Sequence, residues 1–245
     1  MSDRVVVTVT AIDPEARRVT TDAGVHEADY LVIALGADYD FEATPGLAEG
    51  GNEFYSVAGV QRLAAIIPTF SGGHAIVGIC GAPCKCSPAP SECVLLLHDA
   101  LTARGVRGHC QISFVFPFAV PVPPSREASA ALVEELPFDL FLGVPKHRAP
   151  DVVIASGMTE DGYVPVDFAT LETRFPGVYQ VGDVATAGVG KAGTFAEGAA
   201  RIVAQTLIAE MGHGERPGRH LGQGTCFIEF GAGRLRSSST MCDVR

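Results

Sequence analysis

A short β-favouring run ending in Gly-Asp constrains this chain more than any other stretch. Val178-Tyr179-Gln180-Val181-Gly182-Asp183 follows Pro176, and the residues from Lys191 to Ala204 then show amphipathic helical spacing. The order strand, loop, helix puts a carboxylate at the carboxyl end of a buried strand, with a helix N-terminus one loop away. A carboxylate there can accept hydrogen bonds from the hydroxyls of a polyol. The helix dipole and its unpaired N–H groups face an anionic group.

A second run has a related design. Asp29-Tyr30-Leu31-Val32-Ile33-Ala34-Leu35-Gly36-Ala37 reads as a buried strand closed by small residues, which let a backbone approach a ligand or helix closely. The two runs, in this order and separated by an inserted segment, resemble the FAD-dependent pyridine nucleotide–disulfide oxidoreductases. The resemblance implies that Asp183 holds the ribityl or phosphate portion of FAD and that the helix from Lys191 points at the flavin ring. Ala34, Gly36 and Ala37 would form the crossing into a second nucleotide domain. Gly182 and Gly193 would give close backbone approach to the cofactor. The implied fold is α/β and FAD/NAD(P)-binding Rossmann-like, with two intermingled nucleotide-binding domains. Residues 1–45 and 149–230 would pack as one sheet in the FAD domain, 46–148 would form the second Rossmann-like domain, and 231–245 would be a tail.

Composition agrees with a globular α/β chain. At 245 residues there is enough sequence for one large or two small cores. The net charge of −10 disfavours nucleic acid or an anionic membrane surface as partner. No apolar run reaches the roughly 20 residues of a transmembrane span. The N-terminal residues show no signal-peptide apolar region. Seven cysteines form no even disulfide framework, which points to a reducing, cytoplasmic setting.

Periodicity predicts a hairpin from Val5–Thr10 and Arg18–Thr21 around Asp13-Pro14. Strands are predicted at Leu31–Leu35, Ala75–Ile79, Gln111–Phe116, Phe138–Leu142, Val152–Ala155, Val178–Val181 and Cys226–Phe230. Helices are predicted at Val57–Ile67, at Ser91–Arg104 before Gly105, at Ser125–Leu136 with Ser125 as N-cap, and at Thr194–Met211 before Gly212. Ser237-Ser238-Ser239-Thr240 reads as a disordered tail.

Four cysteines crowd the turn after the Ala75–Ile79 strand, at positions 80, 84, 86 and 93. Their spacing is poor for paired zinc knuckles, so no metal site is assigned. Lys85-Cys86-Ser87-Pro88-Ala89-Pro90 resembles the corresponding turn of the sulfide:quinone oxidoreductases and flavocytochrome c sulfide dehydrogenases. There the turn supplies one of two redox cysteines at the flavin, a role that falls on Cys86. Lys85 and the following helix N-terminus would both lower a thiol pKa. The bland alternative is a small buried residue in a turn. Where that branch carries its second cysteine, just after Gly-Asp, this chain has Val184. A relay between those two positions therefore cannot operate, and Cys80 or Cys84 would have to substitute.

Gly188-Val189-Gly190-Lys191-Ala192-Gly193 matches G-x-G-x-x-G literally, but the strand ends at Asp183 and the matching acidic residue is lacking, since Glu210 sits at the end of the helix itself. Lys191 would either neutralise charge near a reduced flavin or be a solvated first-turn lysine. His98, His109 and His147 read as ordinary surface or core residues, His147 in a solvated loop. The resemblance places a strand–GxGxxG–helix unit before the Ala-Leu-Gly-Ala run, and residues 1–28 contain none. The FAD domain is thus expected to be incomplete, with a homo-oligomer or a partner supplying that unit. The implied function is FAD-dependent oxidoreduction of the sulfide:quinone type, between a small-molecule electron donor and quinone. The alternatives are an NAD(P)H-dependent flavin reductase and a non-catalytic family member. The turn Gly78-Ile79-Cys80-Gly81-Ala82-Pro83 disfavours the reductase, because it lacks the nicotinamide-nucleotide glycine pattern.

Overall fold

The computed structural model describes residues 6–115 and 135–241. In chain order the elements are β1 (Val9–Asp13), β2 (Arg18–Thr21), β3 (Gly24–Glu27), β4 (Leu31–Ile33), β5 (Asp38–Asp40), α1 (Leu47–Gly50), β6 (Asn52–Glu53), α2 (Val57–Ile66), β7 (Gly73–Ile79), α3 (Ala89–Ala103) and β8 (Cys110–Val115). They continue with β9 (Leu140–Val144), β10 (Lys146–Arg148), α4 (Asp151–Ala155), β11 (Val164–Pro165), β12 (Val178–Gln180), β13 (Ala185–Thr186), α5 (Gly193–Glu210), β14 (Gln223–Glu229) and β15 (Leu235–Met241). The helix predicted over Ser125–Leu136 begins outside the described residues.

The chain divides into two compact units. Unit 1 comprises Met1–Asp38, Arg148–Cys226 and Ser239–Arg245, and unit 2 comprises Tyr39–His147 and Phe227–Ser238. The first crossing thus falls at Asp38–Tyr39, several residues before the boundary expected at 45.

Unit 1 is not the single sheet expected. It holds an antiparallel meander β1-β2-β3 and two separate parallel pairs, β4 with β12 and β11 with β13. The first strand lies later than predicted because Asp13 starts the turn rather than sitting inside it. Its carboxylate accepts from Ala16 N at 3.1 Å, and Arg17 takes φ 50°. The β4–β12 ladder pairs Leu31 with Val178, Val32 with Tyr179 and Ile33 with Gln180. Val178 and Ile33 face a core with Ile12, Val153 and Val184, while Tyr179 and Val181 face a second core with Ala199 and Val203 of α5. Alternation across the pair therefore fills both faces. The run Val152–Ala155 is helical, not extended. Pro150 precedes it, and its carbonyl accepts from both Val153 N and Ile154 N. A four-residue apolar run carries no period that separates the two conformations.

Unit 2 is built on a four-stranded sheet ordered β6-β9-β7-β8, all of whose pairs are parallel. Ala75, Val77, Leu140 and Leu142 pack with Leu63 of α2 and Leu97 and Leu101 of α3. The start of α2 is fixed by two acceptors. Ser56 Oγ accepts from Gly59 N at 2.9 Å, and Glu53, itself buried, accepts from Tyr55 N at 2.7 Å and Ser56 N at 2.8 Å. The expected tail over 231–245 is corrected. Residues 235–241 form β15, which pairs with β14. The turn between them carries Gly231, Ala232 and Gly233 at positive φ, and Phe230 N donates to Arg234 O at 2.7 Å. A serine-rich run has weak strand preference of its own, so the paired partner and the glycine turn decide its conformation.

The packing at the start of α2 is testable. A Cβ at Gly59 would lie 2.0 Å from Glu53 Oε1 and 2.2 Å from its backbone oxygen. Gly59→Ala should therefore lower stability by about 1–3 kcal/mol, despite the better helix propensity of alanine. Urea unfolding measures this, and an unchanged or raised midpoint contradicts the packing described.

Candidate functional site

The two sequence runs meet in unit 1. Beyond the β4–β12 ladder, Val181 N donates to Ile33 O at 3.1 Å. Ala34, Gly36 and Ala37 thus leave the end of one strand beside Gly182 and Asp183 leaving the other. Gly36 takes φ +70° and Gly182 φ +80°. A Cβ at Gly36 would meet nothing within 4 Å, so this backbone faces open space. Gly193 opens α5, and a Cβ there also meets nothing within 4 Å. The N-cap, Ala192, makes no side-chain hydrogen bond to the helix, and the first turn carries no acidic residue. An 18-residue helix with uncapped N–H groups beside a strand-end carboxylate suits a ligand with phosphate and hydroxyl groups.

Lys191 is not the solvated first-turn lysine that the sequence offered as one of its two readings. It is buried, and its Nζ donates to the carbonyls of Asp183 at 2.6 Å and Ala185 at 3.0 Å. The ammonium also sits 3.8 Å from the centroid of the Tyr163 ring. It ties the loop after Gly182-Asp183 to the start of α5. Burial lowers its pKa to about 8, opposed by the Asp183 carboxylate.

Beneath this rim lies a cavity of about 20 Å³ whose lining includes Gln180, Gly182, Asp183, Phe195 and His220. It has room for a single water and not for a ring system. Gln180 is wholly buried and neither amide atom is paired among the described residues, and the buried His220 leaves Nε2 without a partner among them. Sequence reading singled out neither residue. A glutamine inside the run Val178–Val181 was the available signal.

Cys86 lies in unit 2, in a cluster that was only partly legible. His147 is fully buried rather than solvated. In β10 it alternates with Lys146 and Arg148, and its ring meets Tyr39 and Tyr55 edge-on at 5.0 and 5.3 Å. That inward position could have been read from its place between two charged residues in an alternating strand. Tyr39 Oη donates to Tyr55 O at 2.7 Å, and Tyr55 Oη donates to Cys86 O at 3.4 Å. The Cys84 thiol lies near Tyr55 Oη. The Lys85 ammonium, expected to act on Cys86, stands 4.3 Å over the Tyr39 ring. Burial raises the pKa of Cys80 and Cys84 and pushes Cys93 up to about 12. Cys86 itself takes φ 48°, a left-handed conformation uncommon outside glycine. Val184, where the second redox cysteine would stand, is fully buried in the first core of unit 1. Among the described residues no group of three or more metal-binding side chains is placed to hold a metal ion.

With this geometry in view, the fold is of the FAD/NAD(P)-binding Rossmann-like type. The sulfide:quinone oxidoreductase of Aquifex aeolicus superposes with a TM-score of 0.76 at 19% identity, over 96% of this chain and 70% of that one. Sequence relatives include sulfide:quinone oxidoreductases and, over 40% of this chain at 39% identity, an NADH dehydrogenase-like protein of Mycobacterium tuberculosis. The mitochondrial enzyme of Mus musculus is 24% identical over 93% of this chain and 60% of its own length. That of Schizosaccharomyces pombe is 24% identical over 71% of this chain and 48% of its own. The likeness is thus to the sulfide:quinone oxidoreductase-like branch of the pyridine nucleotide–disulfide oxidoreductases, and this chain spans about half to three-fifths of those relatives' length. No protein-family profile matches the chain.

Lys191 gives a pH-dependent test. The group titrates near 8 when folded and near 10.5 as a free side chain. Between these values the unfolded chain binds the proton and the folded chain has lost it, so this group makes stability rise with pH across that window. The two carbonyls and the tyrosine ring favour the ammonium and reduce the effect to about 1–2 kcal/mol. The stability difference between the wild type and Lys191→Met, followed by urea unfolding from pH 7.5 to 10.5, should move in favour of the wild type by that amount. A flat difference contradicts the buried-ammonium assignment.

Proposed function

We propose that this protein is an FAD-dependent oxidoreductase of the sulfide:quinone type. The observation that carries the reading is the side-by-side exit of Ala34–Ala37 and Gly182–Asp183 from paired strands, next to the uncapped start of α5. Under this reading Asp183 accepts a hydrogen bond from a ribityl hydroxyl, and the open backbone at Gly36 permits close approach. The N–H groups at Gly193 and Thr194 face a negatively charged part of the cofactor. Lys191 keeps the Asp183 loop in place from below. The small cavity beside Gln180 admits no ring, so the open rim is what these residues offer. When bound, the flavin would supply two-electron chemistry that the side chains lack.

Sulfide as donor and quinone as acceptor come into this proposal from the relatives' names. Cys86 is the thiol assigned to the sulfur chemistry, and Val184 leaves it without the usual partner. A nicotinamide-dependent reductase is the less favoured reading, since cysteine and proline occupy the turn after β7 where a glycine-rich loop would stand. The odd cysteine count supports a reducing, cytoplasmic setting.

Flavin absorbance of the purified protein, and its bleaching by sulfide rather than NADPH, tests the reading. Asp183→Ala removes a charge-assisted hydrogen bond of about 1.5–3 kcal/mol. FAD affinity should therefore fall about 10- to 100-fold in equilibrium dialysis. Equal titration of wild type and variant rules out Asp183 as the ribityl partner.

A further inference from the structure

We propose that Ser113 and His74 form a nucleophilic serine site in unit 2, acting on small apolar acyl esters. His74 Nε2 lies 2.8 Å from Ser113 Oγ, and His74 Nδ1 lies 2.7 Å from the carbonyl oxygen of Pro137. A carbonyl only accepts, so Nδ1 carries the ring proton. In the neutral ring Nε2 then presents its lone pair, and the Ser113 hydroxyl donates to it. This is the tautomer of a general base. The nucleophile is bonded to the base, and the base is oriented by a third group.

The sheet builds the arrangement. In the parallel ladder of β7 and β8, His74 stands beside Gln111 and Ile76 beside Ser113. The alternate positions, Ala75, Val77 and Ile112, face the core with α2 and α3. His74 and Ser113 therefore share the opposite face. The backbone of His74 is fixed as well, since its N donates to Asp139 Oδ2 at 2.8 Å and its O accepts from Asp139 N at 2.9 Å. Both residues of the pair are partly exposed. Among the described residues β8 ends the sheet. Successive N–H groups of a strand point to opposite sides, so that of Ser113 or that of Phe114 faces the open edge. Either can donate to an oxyanion forming at a carbonyl that Ser113 attacks. Val115 shares the face of Ser113, and Val115 and Phe138 are both exposed, which favours an apolar acyl group.

The chemistry balances without a cofactor. The Ser113 proton passes to His74 Nε2 as Oγ bonds the ester carbonyl carbon. The tetrahedral oxyanion collapses, the bond from that carbon to the alcohol oxygen breaks, and the alcohol leaves with the proton from Nε2. A water then gives its proton to Nε2 while its oxygen attacks the acyl-serine. The acid leaves, and Ser113 Oγ takes the proton back. One ester and one water give one acid and one alcohol, and nothing is oxidised or reduced. The proposal does not rest on the flavin reading. Its test is run without flavin, and fails or succeeds separately from FAD binding.

The full-length chain is treated with diisopropyl fluorophosphate, digested with trypsin and read by mass spectrometry. Ser113 Oγ should bond phosphorus and displace fluoride, leaving the adduct in peptide 108–126 with fragment ions assigning it to Ser113 rather than Ser125. The same chain unfolded in urea should not react. That comparison needs only the wild type, so a variant that fails to fold leaves the test intact. The native chain should also hydrolyse p-nitrophenyl butyrate, and prior labelling should abolish that turnover. His74→Gln keeps an amide where Nε2 stood but supplies no base. In a variant whose circular dichroism matches the wild type, labelling should slow about 100-fold or more. No adduct, an adduct at another residue, equal reaction of native and unfolded chains, or an unslowed folded His74→Gln overturns the proposal.

Discussion

Unit 1 depends on a parallel ladder only three residues long. Leu31–Ile33 and Val178–Gln180 are about 145 positions apart in sequence, yet their pairing decides everything near the candidate site. Short parallel strands are stable only when both faces are covered. Here α5 covers one face through Ala199 and Val203, and Ile12 and Val153 cover the other. Closing so long a loop carries an entropic cost that must be recovered in the two cores. The site is therefore a consequence of packing on both sides of two strands, and the loops that form it hang from their ends.

The same logic explains what the sequence made legible. Gly182 and Asp183 were readable because a strand end, a small residue and a carboxylate are all local features. The long helix α5 was readable for the same reason, since Phe195, Ala199, Val203 and Thr206 repeat on one face. Lys191 was not. Nothing local says that an ammonium at a helix start folds back onto the carbonyls of Asp183 and Ala185. The aromatic cluster around Tyr55 was equally hidden, because Tyr39, Tyr55 and His147 come from three distant segments and meet only in the folded unit. Residues 151–155 failed for a different reason, being too short to carry a period.

Two buried polar residues beside the candidate site are handled in opposite ways. Lys191 enters the interior with its hydrogen bonds supplied by carbonyls, so its burial is compensated. Gln180 enters with none among the described contacts, at a place where an apolar residue would cost less. An uncompensated amide directly beneath the strand ends marks the point at which local stability was not the governing requirement.

Val184 gives the absence of the second cysteine a meaning beyond the residue count. Its side chain is fully buried in the core with Ile12, Ile33 and Val153, and its carbonyl accepts from Val164 N at 3.1 Å. A cysteine put back at this position would pack as a small hydrophobe, shielded from solvent and poor at forming a thiolate. Recovering a sulfur relay through residue 184 would require the core of unit 1 to reopen around it. Van der Waals contact on every side of residue 184 thus closes that position to solvent-borne chemistry.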